Sequence, residues 1–237
     1  MSDDVEQKTD EVYKKYYSKK GKDRNNLLRN PEVLFQTLAF DRSVISALSS
    51  LNVDPVCAKV LDVGCGGGGS FINLLKCGFL PENFTGIDIL EERILKAKRQ
   101  FSNVNFVLGD ASKMQFQDET FDIVTESTMF TQLTDDSLAH SITGEMVRVT
   151  KTGGYILLVD WRYSKPWDKK HYKGLSIGRI KELFDVGSKA SIFKIYRGAL
   201  VPPVGRFISK NIPSIYFVLQ SVFPFLVGQM VTVLRKN

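Results

Sequence analysis

Cysteine and histidine are scarce. The chain has three cysteines (Cys57, Cys65, Cys77) and two histidines (His140, His171) in 237 residues. Three thiols are too few, and an odd number, for a disulfide framework. Neither histidine has a Cys or His at zinc-ligand spacing, so no metal site is expected. The opening MSDDVEQKTDEVYKK has no apolar core of a secretory signal. A reduced, cytoplasmic protein is the expectation. Carboxylates become rare late in the chain: residues 161–237 hold 3 Asp+Glu against 14 Lys+Arg. That final third points to an anionic partner, whether acidic substrate, anionic membrane surface or nucleic acid. Low-complexity tracts and internal repeats are absent, and at 43% hydrophobic and 24% charged the composition is that of one ordinary folded domain.

What is present is an alternation. NPEVLFQTLAFDRSVISALSSL has helical spacing, with Asn30 placed as an N-cap and Pro31 at the first helical position. From residue 59, strand-like runs (KVLDV, NFTGIDI, NVNFVLG, FDIVTE, GGYILLVDW) alternate with helical ones (SFINLLK, EERILKAKRQF, DSLAHSITGEMVRVT). This order predicts βαβ units and a mostly parallel sheet with helices on both faces. Beyond it, SIGRIKELF reads as a helix, SIFKIYRGAL as a strand and MVTVLRK as a terminal strand. Residues 211–234 form 24 consecutive positions without a charge, a length that fits a membrane span. Pro213 and Pro224 break the run, so a folded helix plus edge strands is expected instead.

The strongest local signal is VLDVGCGGGGSF, residues 60–71, a strand entering a glycine cluster before a helix. Gly64, Gly66 and Gly69 satisfy the GxGxxG spacing of dinucleotide sites. Charge argues otherwise. Asp62 precedes the loop and no Lys or Arg lies between Lys59 and Lys76, so a pyrophosphate would meet a carboxylate and no cation. S-adenosyl-L-methionine, with an ammonium, a sulfonium and no phosphate, suits this approach better. Asp88 ends the next strand at the spacing from which an acid reaches ribose hydroxyls, and Asp110 ends the one after. Cys65 reads as a small packing residue, and Asp118 with Glu119 as a polar turn.

The series VLDVGCGGGG, GIDI, GDAS, FDIVTES and RVTKTGGYILLVD resembles the ordered motifs of class I S-adenosylmethionine-dependent methyltransferases over roughly residues 59–160. The resemblance implies a Rossmann-like α/β fold with a seven-stranded sheet, one strand antiparallel. It implies three parts: an N-terminal helical cap (1–58), a cofactor-binding core (59–160), and a C-terminal part (161–237) completing the sheet and acceptor site. Carried over, Asp62, Gly64 and Gly66 would face the methionine part of the cofactor. Asp88 would take the ribose hydroxyls, Ile89 would pack on the adenine, Asp110 and Ala111 would hold its edge, and Glu126 would stand near the sulfonium.

NPEVLFQ, KGLSIGRIKELF and PFLVGQMVTVLRK are similar to a bacterial subgroup associated with surface-polysaccharide modification. The expected function is therefore O-methylation of a sugar or glycan, lipid-linked or anionic, such as a surface polysaccharide or lipopolysaccharide. Trp161, Trp167 and Tyr172 would offer ring faces beside Arg162, Lys165 and Lys169. Asp160 is the expected general base, with Glu126 and His171 as competing candidates, and Arg162 and His171 are placed at the substrate. Alternatives are a methyltransferase of a quinone or lipid, or a non-catalytic cofactor-binding protein at a membrane periphery. Nucleic acid is disfavoured, because ESTMF stands where amino-group methyltransferases carry an Asn/Asp-Pro-Pro-aromatic signature.

Overall fold

The computed structural model describes residues 26–237 except 166 and 169; residues 1–25 of the expected N-terminal cap lie outside the described residues. The first helix, α1 (Leu34–Leu48), follows a 3-10 turn at Pro31–Val33. The Asn30 side chain makes no cap hydrogen bond, and the proline opens the tighter turn, so the α-helix starts later than its N-cap signal suggested.

Strands and helices then alternate as β1 (Val60–Val63), α2 (Phe71–Lys76), β2 (Phe84–Asp88), α3 (Glu91–Gln100), β3 (Asn105–Leu108), β4 (Phe121–Ser127), α4 (Asp136–Val149) and β5 (Thr150–Trp161). The central strands β1, β2 and β4 are short runs buried almost throughout, β1 entirely so, while β3 at the edge buries Phe106 and exposes Asn105 and Leu108. Asp135 starts α4 by accepting from the amides of Ser137 and Leu138. The C-terminal part adds α5 (Ile177–Leu183), β6 (Ala190–Arg197), α6 (Pro202–Asn211), α7 (Tyr216–Val222) and β7 (Gln229–Lys236).

The seven strands form one sheet in the order β3-β2-β1-β4-β5-β7-β6. β7 alone is antiparallel to its neighbours. Its position corrects the sequence reading of edge strands in the tail. β7 lies inside the sheet, with Val231 to Leu234 buried, and β6 is the edge, with Lys194 and Arg197 to guard it. The uncharged run 211–234 folds as a turn opened by Pro213, α7, a second turn opened by Pro224, and most of β7. No helix among the described residues is long and apolar enough to cross a membrane.

Two apolar layers cover the sheet. One, around Phe71, Phe84 and Leu157, lies under α1, α2 and α3; the other, around Phe130, Met146 and Leu158, lies under α4 and α5. A third, smaller cluster joins Ala39 of α1 to Leu200, Ile208 and Tyr216 of the segment between β6 and β7. The carboxyl ends of β1, β2, β4 and β5 therefore open onto one edge, where an α/β sheet of this topology receives ligands.

Candidate active site

β1 delivers Asp62 to that edge and the chain turns at once. Gly64 and Gly66 take φ of 68° and 55°, a region that L side chains rarely occupy. The amides of Gly64 and Cys65 donate to the Ile87 carbonyl, which ties the loop to the end of β2. A Cβ on Gly64 would stand 2.9 Å from Met129 Sδ, whereas one on Gly66 would meet nothing within 4 Å. The space over Gly66 is open.

Asp62 is 1% exposed. One carboxylate oxygen accepts from the Ser70 hydroxyl; the other, Oδ1, is buried with no hydrogen-bond partner. Burial pushes its pKa up to about 7, against the Ser70 hydrogen bond and with some help from Asp88. A buried acceptor left without a donor is costly unless a ligand supplies one. Asp62 thus has the chemistry to receive an ammonium.

Asp88 is held by backbone. Its Oδ2 accepts from Gly66 N at 2.9 Å and its Oδ1 from Leu90 N at 2.9 Å. Arg93, on the first turn of α3, brings Nη1 to 3.5 Å of Asp88 Oδ2. This corrects the view that no cation stands near the glycine loop: the cation comes from the next helix and is matched by Asp88. Ile89 is half-buried beside it. Asp110 spends Oδ1 on the amide and hydroxyl of Ser112, and Ala111 packs against the second apolar layer. Cys65 is buried, its thiol pushed far up by burial and then by the carboxylates of Asp62 and Asp88, and so it is a packing residue. Asp62, Gly64, Gly66, Asp88, Ile89, Asp110 and Ala111 all lie at or just beyond the carboxyl ends of β1, β2 and β3. An unpartnered buried carboxylate, an open glycine turn and a half-buried apolar side chain fit S-adenosylmethionine.

The expected catalytic residues fare differently. Glu126 is fully buried, its Oε2 accepting from Met129 N at 3.0 Å and Oε1 from Val159 N at 3.1 Å. Burial, then the neighbouring carboxylate of Asp160, raise its pKa well above the usual range. Asp160, 3% exposed, accepts from Thr131 N and Oγ1 and from its neighbour's amide, Trp161 N. Burial raises it too. Both acids tie the turn after β4 to β5, and in this structure both are buried among backbone and hydroxyl donors.

Arg162 does not pair with Asp160. It donates to the Tyr163 hydroxyl and, at 2.6 Å, to the Pro224 carbonyl, so backbone occupies the expected substrate clamp. His171 is partly exposed and pairs with a carboxylate. Its Nδ1 lies 2.8 Å from Asp168 Oδ1, on a loop that Lys173 N and Thr131 O tie to the end of β4. A carboxylate on Nδ1 leaves Nε2 as a proton acceptor.

Two site residues went unmarked in the sequence: Ser70, whose hydroxyl donates to Asp62, and Arg93 of α3, which faces Asp88. Directly after β4, Thr128 takes φ 59°, unusual for a β-branched residue. Between α1, α2 and the sheet lies an apolar cavity lined by Phe40, Val44, Leu48, Leu74, Ile123, Leu157 and Val159, with Ser70, Asn73, Thr125 and Ser127 as its polar members. It shares Ser70 with the Asp62 carboxylate. Among the described residues no cluster of three His, Cys, Asp or Glu could hold a metal ion.

Comparison with known proteins agrees with this geometry. Residues 60–154 match the family model of a methyltransferase domain. A fatty-acid O-methyltransferase of Mycolicibacterium smegmatis is 31% identical over 175 residues, 71% of this chain and 56% of that protein. A demethylmenaquinone methyltransferase of Roseiflexus castenholzii is 29% identical over 127 residues, 52% of this chain and 51% of that protein. The chain thus spans about half the length of these relatives. In structure, a SAM-dependent methyltransferase from Methanosarcina mazei superposes with a TM-score of 0.57 at 20% identity, covering 78% of this chain and 94% of that one. The seven-stranded sheet has the Rossmann-like fold of that class.

Proposed function

From the premise that residues 60–154 are a methyltransferase domain of the class I, S-adenosylmethionine-dependent family, we propose that the protein methylates an oxygen of an apolar, chain-bearing molecule. The acceptors named for the relatives, a fatty acid and a menaquinone precursor, carry this reading. The cavity beside Ser70 holds only about 20 Å³, room for a water-sized group, so the acceptor is placed outside it at the sheet edge.

The glycan acceptor expected from the sequence drew on a subgroup resemblance and on three aromatic rings in the basic final third. Trp161 packs in the third apolar cluster and Tyr172 lies 3.7 Å beneath the Lys165 ammonium. Trp167 alone offers an open face, which favours the apolar reading.

When bound, S-adenosylmethionine supplies an electrophilic methyl group on a sulfonium. Asp62 holds the ammonium, Asp88 the ribose hydroxyls, Ile89 the adenine face, and Asp110 with Ala111 its edge. His171 Nε2 takes the proton of an acceptor hydroxyl while Asp168 steadies the ring, a contribution of roughly 10²–10⁴-fold. Orientation of the two reactants supplies much of the remainder. The test is release of S-adenosylhomocysteine with long-chain fatty acids, quinols, sterols and nucleotide sugars. Turnover on apolar acceptors is expected; turnover confined to the sugars would overturn the reading.

A further inference from the structure

The segment between β6 and β7 does more than close the sheet. β6 ends at Arg197, and β7 begins at Gln229, opposite Trp161 at the end of β5. Residues 198–228 therefore leave from and return to the edge that carries the candidate site. α6 and α7 sit on α1 through buried Leu200, Ile208 and Tyr216. Their outer side is apolar. Phe207, Val222 and Phe225 are each more than 60% exposed, and Phe223 meets Phe225 edge-to-face at 5.8 Å. Trp167 stands out from the loop after β5, on the same edge, at 84% exposure.

The segment's own charges are of one sign: from Arg197 to Gln229 there are three Lys or Arg (Arg197, Arg206, Lys210) and no Asp or Glu. Two guanidiniums are fixed at the apolar turn itself: Arg197 donates to the Ser221 carbonyl at 3.0 Å and Arg162 to the Pro224 carbonyl at 2.6 Å. Lys210 is exposed on α6 near Phe207. Apolar side chains that project beside cations, on a segment that itself carries no carboxylate, match the interface of an anionic bilayer. Aromatic rings at such a tip sit at headgroup depth.

We propose that the 198–228 segment docks on an anionic lipid bilayer, with Phe223 and Phe225 entering the interface and the exposed Arg197 and Lys210 meeting lipid phosphates. The docked edge is the one that holds Asp62 and Asp88, so the candidate site faces the lipid surface. Docking stands on the surface alone and holds whatever the acceptor is.

The test is co-sedimentation of the full chain with phosphatidylcholine vesicles, with and without phosphatidylglycerol. Binding to the phosphatidylglycerol vesicles should exceed binding to phosphatidylcholine by at least about tenfold and fall with salt. The double variant Phe223→Ser/Phe225→Ser should lose roughly tenfold in binding. Its S-adenosylmethionine affinity and melting temperature should stay those of the parent, which separates docking from folding and from the acceptor reading. In a Phe225→Trp variant, indole emission should shift blue with vesicles and be quenched by brominated lipid. Equal binding of parent and double variant, no preference for the anionic vesicles, or an exposed indole in their presence would overturn the proposal. So would a dimer in sedimentation that the double variant abolishes, since a second copy would then be the occupant.

Discussion

Asp62→Asn should make the protein more stable and a worse binder of its cofactor. The carboxyl is completely buried, one oxygen has no partner, and burial lifts its pKa from 3.8 to about 7. At about 1.4 kcal/mol for each tenfold change in proton affinity, the ionised form costs the fold up to about 4 kcal/mol. Because the folded pKa is raised, the stabilising contribution of the protonated acid is complete below about pH 4 and lost as pH rises to about 7. Asparagine keeps the acceptor for Ser70 and removes the charge, but buries an unpaired amide at a cost of about 1–3 kcal/mol. A net gain of about 1–3 kcal/mol remains at pH 8. At about 2–4 °C per kcal/mol for a chain of this size, the ligand-free variant should melt roughly 2–12 °C higher. The two melting curves should converge, then cross, toward pH 4. Binding moves the other way, since loss of a buried charge-assisted hydrogen bond weakens S-adenosylmethionine by roughly tenfold to a hundredfold. Parent affinity should also climb between pH 6 and 8 as Asp62 ionises, and the variant should be flat. Scanning calorimetry and titration calorimetry over that range measure both. A variant that melts lower at pH 8, or binds as tightly as the parent, refutes the assignment of Asp62 as the cofactor's ammonium acceptor.

His171→Gln should lower turnover on hydroxyl acceptors roughly 10²–10⁴-fold and leave cofactor affinity unchanged; unchanged turnover would remove His171 as base. Asp160→Asn should act on stability, because three donors at Thr131 and Trp161 would face one acceptor, at about 1–3 kcal/mol in urea unfolding. An intact melting curve with abolished turnover would restore Asp160 to the chemistry. Gly64→Ala should weaken cofactor binding and stability more than Gly66→Ala, since both strain φ but only the former meets Met129, and equal losses would contradict that contact. Tyr216→Phe should cost about 1–3 kcal/mol in the same unfolding assay by leaving the buried Leu200 amide unpaired.

By itself the sequence determined the alternation, the cofactor loop and its three acids. These are local facts: β1 reads as an apolar run, Gly64 and Gly66 follow it directly, and Asp88 and Asp110 end the next two strands. Periodicity and spacing within residues 60–110 encode them, so no long-range contact is needed to see them. Tertiary structure decided the rest. That Asp62 Oδ1 lacks a partner depends on which side chains converge around it. The fates of Asp160 and Arg162 depend on Thr131 and Pro224, far away in the chain, and two residues close in sequence turn out to face different neighbours. The same holds for β7: its run of buried residues is equally consistent with an edge or an interior strand, and only pairing with both β5 and β6 settles it. Burial of a charge, its partner and its pKa are properties of packed space, which a one-dimensional pattern does not carry.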